Sequence, residues 1–198
     1  MRKIVVWMRV SLDGVMQAPS GPEEDPIENF SYGGWTVPYS LGNTFDEVMS
    51  VPFDLLLGRK TYDVFAAYWP KQGPSSVSTP FNKATKYLVS HHPPKPKWEK
   101  TVLINRDVVA KLKKLKQQDS PMLQVYGSSV LIQTLLEYDL VDELWLNTYP
   151  VTLGKGKRLF GEGTIPAAFE LIKSETLPSG IIVASYKRSG DIRTGTLA

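Results

Sequence analysis

Glycine interrupts an apolar run at two places in this 198-residue chain, and each time residues follow that can hold an anion. In Val125-Tyr126-Gly127-Ser128-Ser129-Val130-Leu131, a strand-like stretch over residues 122–126 stops at a glycine and two serines. A helical pattern carrying Leu131, Leu135 and Leu136 comes next. A strand that turns on glycine into a helix presents backbone N–H groups at the positive end of the helix dipole, where phosphate is the usual guest. The second place is Asp54-Leu55-Leu56-Leu57-Gly58-Arg59-Lys60-Thr61-Tyr62. Here two cations and a hydroxyl open the helix. Cations at a helix start oppose its dipole unless an anion is bound, so Arg59, Lys60 and Thr61 together point to phosphate. Two such junctions imply a ligand with more than one phosphate.

Other chemistry-bearing residues are sparser. Asp13 follows the first strand in Ser11-Leu12-Asp13-Gly14, a common turn sequence. Asp46 and Glu47 are acids after a long irregular stretch and could face a substrate pocket. The only histidines, His91 and His92, follow Ser90 at the end of a short strand and precede two prolines. They have no companions at metal-ligand spacing, so no metal is expected; they read either as a contact for a cofactor phosphate or as an exposed polar turn before the prolines. Gly154-Lys155-Gly156-Lys157-Arg158 lacks both the first glycine and the Ser/Thr of a Walker loop and reads as a basic turn.

The elements that must position these residues alternate. Strands are expected at 4–10, 54–57, 86–90, 101–104, 122–126 and 143–149, with helices at 41–50, 60–68, 107–118 and 128–138. Val64, Phe65 and Tyr68 mark the apolar side of the helix at 60–68. Residues 71–82, with two prolines and three serines, read as a loop. Residues 169–176 and 181–187 read as a closing hairpin. Alternation of this kind predicts an α/β fold: a mostly parallel sheet with helices on both faces and an antiparallel edge. Residues 11–38 carry no periodicity, and a long irregular stretch inside a compact domain is usually a functional loop such as a lid. One domain is expected over residues 1–188, with a polar tail over 189–198.

Composition narrows the function classes. Lys plus Arg is 23 against 20 Asp plus Glu, a net charge of +3, which makes no case for nucleic acid. Lys111, Lys113, Lys114 and Lys116 alternate with Leu112 and Leu115 and read as a solvated helix face. The absence of cysteine excludes disulfides and thiol catalysis and fits a reducing compartment. The first apolar run is too short for a signal-peptide core or a membrane span. The expected address is the cytoplasm, with no membrane partner.

Taken together, these motifs resemble the dihydrofolate reductase-like superfamily, and within it the reductase domain of the riboflavin-pathway bifunctional deaminase-reductase. The resemblance rests on Ser11-Leu12-Asp13-Gly14, Leu57-Gly58-Arg59-Lys60-Thr61-Tyr62, Val125-Tyr126-Gly127-Ser128-Ser129 and Leu140-Val141-Asp142-Glu143-Leu144. It extends through Pro150-Val151-Thr152-Leu153-Gly154-Lys155-Gly156 and Leu159-Phe160. It implies a three-layer dihydrofolate reductase-like fold and NADPH as cofactor. By position, Gly58, Arg59, Lys60 and Thr61 would hold phosphates, and Ser90 and His91 would lie near the 2′-phosphate. Gly127, Ser128, Ser129, Val130 and Leu131 would wrap the pyrophosphate. It also implies hydride transfer to a small heterocyclic substrate, a ribosylaminopyrimidine of the riboflavin pathway, with a dihydropterin as the alternative. A nucleotide-binding module without turnover is the alternative of another class. Asp13 and Asp46 are the candidate catalytic carboxylates. Tyr126 and Ser128 depart from the family pattern, which usually has an acidic residue and a second glycine there. Members of this branch are often dimers, and the apolar segment Leu144-Trp145-Leu146 with the final strands is the expected interface of a homodimer.

Overall fold

The computed structural model describes residues 1–42, 48–95 and 97–197. Residues 43–47 of the helix expected at 41–50, Asp46 and Glu47 among them, lie outside the described residues.

Twelve strands and α-helices build the described fold. They are β1 (Ile4–Ser11), β2 (Phe53–Gly58), α1 (Arg59–Tyr68), α2 (Ser78–Lys83), β3 (Lys86–Val89) and β4 (Thr101–Ile104). Then follow α3 (Val108–Lys116), β5 (Met122–Tyr126), α4 (Ser129–Glu137), β6 (Glu143–Tyr149), β7 (Ala168–Thr176) and β8 (Ile182–Gly190). The eight strands form one sheet in the order β4-β3-β2-β5-β1-β6-β8-β7. Every pair from β4 to β6 is parallel, and β8 joins β6 and β7 antiparallel. The α/β class and the antiparallel edge are as the alternation predicts.

The central strand β1 is apolar on both faces because the sheet is covered on both. Ile4, Val6, Met8 and Val10 pack with Leu112 of α3 and Leu131, Ile132, Leu135 and Leu136 of α4. Trp7, on the other face, packs with Leu55 and Leu57 of β2, Tyr62 and Ala66 of α1 and Phe81 of α2. These two cores on either side of one sheet make the three layers.

Three features differ from the sequence reading. In α1 the buried residues are Tyr62 and Ala66, while Val64 and Tyr68 are half exposed. The Tyr62 hydroxyl accepts from Trp98 N at 2.8 Å and pairs with Thr101 Oγ1 at 3.0 Å, which turns that side of the helix inward. Second, the expected loop at 71–82 contains α2. Its serines act as turn and cap groups: Ser75 Oγ accepts from Ser78 N at 3.0 Å, and Ser78 Oγ donates to the Gly73 carbonyl at 2.6 Å. Third, β6 lies between β1 and β8, with Leu144 buried, so the segment expected at an interface is interior to the sheet. Ladder hydrogen bonds on both sides of β6 remove it as an edge. Among the described residues, the free edges are β4 and β7.

The family-like segment around Asp142 ties strands together. Asp142 Oδ2 accepts from Ile4 N at 2.8 Å and Lys116 Nζ at 2.5 Å. Lys3 Nζ donates to Glu143 Oε1 at 2.7 Å. At the same end of the sheet Arg2, almost wholly buried, pairs with Asp54, and Asp54 Oδ1 accepts from Thr85 N at 2.8 Å. These contacts lock β1, β2 and β6 at their N-terminal ends, opposite the glycine junctions.

Candidate functional site

The chain leaves β2 through α1 toward β3 on one side of the sheet and leaves β5 through α4 toward β6 on the other. Because β2 and β5 are neighbours, their C-terminal ends open a crevice at a topological switch point, where open α/β sheets bind ligands. Both glycine junctions lie there and touch. Ser128 Oγ donates to Thr61 Oγ1 at 2.8 Å. A Cβ on Gly58 would sit 2.5 Å from both the Cβ and Oγ of Ser128, so only glycine lets the two turns approach this closely. Gly127 and Ser128 have φ of 74° and 69°. Glycine adopts this left-handed conformation freely, whereas Ser128 holds it under strain, and the turn brings the start of α4 to the crevice.

The crevice widens into a cleft of about 410 Å³. Lys60, Thr61, Gly127, Ser128 and Ser129 line one end. An aromatic wall of Trp7, Phe65, Trp69, Phe81 and Tyr126 lines its middle. Residues 16–20, 24 and 25 close it, with Arg9 and Lys157. The apolar side of α1 that the sequence marked with Val64 and Phe65 is therefore a cleft wall.

The irregular segment 11–38 closes this cleft as a packed unit. Gln17, buried, donates to the carbonyls of Asp25 at 2.9 Å and Ile27 at 3.0 Å, and its Oε1 accepts from Lys157 N at 2.9 Å. Trp35 Nε1 donates to the Gln17 carbonyl at 2.8 Å. Val15, Ala18, Phe30 and Trp35 share a small core with Tyr149, Leu177 and Ile181. The basic run 154–158 lies alongside: Met16 N donates to the Lys157 carbonyl at 2.8 Å and Leu159 N to the Gly14 carbonyl at 2.9 Å.

Asp25 joins the two sides of the cleft. It receives Lys60 Nζ at 3.1 Å and Lys157 Nζ at 2.5 Å. Burial alone would raise its carboxyl pKa, but these two hydrogen bonds and the charges behind them hold it below the usual range. Glu24 behaves oppositely. Desolvation pushes its carboxyl up, against the hydrogen bond from Ser20 N at 2.7 Å and the charge of Arg9. The Tyr126 hydroxyl is driven well above its ordinary pKa by burial and donates to Gln124 Oε1, so it stays protonated.

The sequence-predicted residues fall into three groups. Lys60, Thr61, Gly127, Ser128 and Ser129 converge on the cleft. Gly58 forms the close contact behind them, and the Leu131 side chain goes into the core while Val130 points to solvent. The second group gathers at the ends of β3 and α1. Arg59 Nε pairs with Asp63 at 2.7 Å, and its Nη1 donates to the Pro93 carbonyl at 3.0 Å, beside Ser90 and the exposed His91. The third is Asp13, which lies away from the cleft lining. Its carboxylate accepts from Leu153 N at 3.1 Å, Gly154 N at 2.8 Å and Ser11 Oγ at 2.5 Å. The serine hydrogen bond, opposed by desolvation and aided by those two N–H groups, holds its pKa at about 2. That geometry joins the end of β1 to the turn after β6. Asp46 lies outside the described residues. Sequence reasoning passed over Arg9, Gln17, Glu24 and Asp25, and read Lys157 only as part of a basic turn. A lone arginine in an apolar strand was the one signal available for Arg9.

A family model described as the RibD C-terminal domain matches residues 2–183. The chain belongs to the RibD C-terminal domain family. The uncharacterized protein YyaP of Bacillus subtilis (strain 168) is 25% identical over 197 residues, 96% of each chain. A putative riboflavin biosynthesis protein from Shewanella sp. PV-4 superposes with a TM-score of 0.68 at 23% identity, covering 94% of this chain and 99% of its own. Dihydrofolate reductase from Enterococcus faecalis, complexed with NADP(H) and RAB-propyl, superposes with a TM-score of 0.59 at 15% identity, covering 94% and 96%. A pyrimidine reductase-like protein from Corynebacterium diphtheriae gives 0.64 at 13% identity, covering 96% and 93%. The likeness to these solved structures establishes a dihydrofolate reductase-like fold for this RibD C-terminal domain.

Proposed function

We propose that this chain is an NADPH-dependent reductase that passes a hydride to a ribosylaminopyrimidine-like heterocycle. The observation that carries the reading is the contact of two strand–glycine–helix junctions at the switch point, opening onto an aromatic-walled cleft. The residues present fit a dinucleotide. Thr61 and Ser129 offer hydroxyls, and the turn at Gly127 and Ser128 offers N–H groups to a pyrophosphate. Lys60 offers a cation once it leaves Asp25. Arg59, Ser90 and His91 stand together where a further phosphate at the adenosine end would lie. NADPH, when bound, supplies the hydride. The aromatic wall would hold a flat ring face-on, and the packed 11–38 segment would exclude water from it. Asp13 would serve by fixing the turn that anchors that segment. The relatives support the reading through their names, which include a riboflavin biosynthesis protein and a pyrimidine reductase-like protein. A complex with NADP(H) in the same fold supports the cofactor.

The test is NADPH titration followed by fluorescence, then NADPH oxidation with a ribosylaminopyrimidinone phosphate and dihydrofolate offered in parallel. Thr61→Ala and Gly127→Ala should each weaken NADPH binding by about tenfold, on the scale of a lost hydrogen bond to a charged group. Arg59→Ala should cost NADPH more than NADH. Unchanged NADPH affinity in both junction variants would overturn the cofactor assignment, and turnover of dihydrofolate alone would replace the substrate.

A further inference from the structure

The aromatic wall of the cleft is tied down from behind by one side chain. Trp69 and Phe81 meet edge to face with ring centres 4.9 Å apart, and Phe81 lies 5.2 Å from Tyr126. Their own elements hold these rings weakly. Trp69 opens a single 3-10 turn after α1, and Phe81 sits on α2, a helix of six residues. A helix that short has little stability of its own. Asn82, next to Phe81, joins the two. Its Nδ2 donates to the Trp69 carbonyl at 3.0 Å, and its Oδ1 accepts from Trp98 Nε1 at 2.9 Å. Its own carbonyl accepts from Lys86 Nζ at 2.7 Å.

The groups that hold Asn82 are themselves anchored. Trp98 is buried; its N–H is bonded to the Tyr62 hydroxyl of α1, and its carbonyl accepts from Thr101 Oγ1 at 2.6 Å. Lys86 is wholly buried, with Nζ 4.3 Å from the centre of the Trp98 ring. Burying a lysine is costly, yet this ammonium stands at the carbonyl end of α2, where a cation is favourable. Asn82, Trp98 and Lys86 stand behind the wall, outside the cleft lining.

We propose that Asn82 is a positioning residue: through its bond to the Trp69 carbonyl it sets the spacing of Trp69 and Phe81, and so the slot in which a flat ring lies. The proposal rests on the reading above that such a ring binds in this cleft, and adds what fixes the slot. A carboxamide suits the place because one partner needs a donor and the other an acceptor. Aspartate offers acceptors alone. Displacing a positioning surface by about 1 Å can lower turnover on the order of a hundredfold.

The experiment compares Asn82→Asp with Trp98→Phe. Asn82→Asp keeps the acceptor for Trp98 but turns a carboxylate on the Trp69 carbonyl. Trp98→Phe breaks the other side-chain bond and spares the one to Trp69, while Lys86 still holds the Asn82 carbonyl. Trp69 is read without any ligand, by acrylamide quenching of its fluorescence, taken as the difference between each protein and its Trp69→Phe counterpart. The cleft is read by NADPH affinity and by kcat and KM with the ribosylaminopyrimidinone phosphate. Asn82→Asp should raise the quenching of Trp69 and lower kcat/KM by about tenfold or more, with NADPH affinity unchanged. Trp98→Phe should lower the melting temperature and leave Trp69 quenching near that of wild type. Asn82→Leu, which fills the same space without charge and also loses the Trp69 bond, takes the place of Asn82→Asp if that variant does not fold. A merely structural role would make quenching, turnover and NADPH affinity all follow the melting temperature, and that result overturns the proposal. Wild-type quenching in a folded Asn82 variant overturns it as well. A wild-type chain that neither binds NADPH nor turns over the pyrimidinone overturns the reductase reading, and the quenching of Trp69 then decides alone whether Asn82 sets the slot.

Discussion

Asp13 and Asp25 show how neighbouring groups decide what a carboxylate does. Asp13 belongs to a motif shared with a reductase family, yet its oxygens are taken up by Ser11 and by the backbone of Leu153 and Gly154. Its folded pKa, about 2, lies below the ordinary aspartate value of roughly 3.9. The unfolded chain therefore binds this proton first as pH falls, and the stabilisation is present above about pH 4 and lost toward about pH 2. Asp13→Asn should lower the thermal midpoint at neutral pH. The gap to wild type should shrink as pH drops through that window, which melting curves at stepped pH would read. A constant gap would mean that the carboxylate charge is not what holds the turn. Asp25, by contrast, stands in the cleft with two lysines on it, and nothing in its sequence surroundings sets it apart from Glu23 or Glu24.

At the scale of elements, the critical joint is between the starts of α1 and α4. Helix α4 begins after two left-handed residues, and the second is not glycine. Ser128 holds that conformation against Gly58, and its hydroxyl reaches Thr61. Gly58→Ala would drive a methyl group into Ser128 and should destabilise the protein by about 1–3 kcal/mol, as overpacking does. Gly58→Ala with Ser128→Gly should recover most of that, because the second change removes the obstructing side chain and relaxes the left-handed residue. Chemical denaturation of both variants checks this. Additive losses would show that the two turns do not share one space. Both junctions were legible because glycine after an apolar run signals a turn, and the helical pattern gives its direction. The contact between them was not legible, because residues 58 and 128 meet only through the pairing of β2 with β5.

At the scale of the whole molecule, the sheet has two free edges among the described residues, and β7 is the more exposed one. Leu171 and Ile172 on it are about half exposed. An unpaired edge of this length is a template for pairing unless something covers it. We expect a homodimer built on the β7–β8 end, in place of the interior segment around Leu144. Sedimentation of the wild-type chain should report twice the chain mass, and Leu171→Lys with Ile172→Lys should return it to one. A wild-type monomer at tens of micromolar would remove this expectation.

Local chemistry by itself determined the α/β class, the position of nearly every strand and the two strand–glycine–helix junctions, because each rests on neighbours in sequence: periodicity, glycine and the residues beside it. The RibD-type motifs extended that to the family. Tertiary structure alone decided which groups share the cleft. Trp7, Arg9, Asp25, Tyr126 and Lys157 are spread across the chain and meet only because β1 lies beside β5 and residues 14–16 pair with the turn at 157–159. No local pattern encodes a register between distant strands. It follows from burying both faces of the sheet at once.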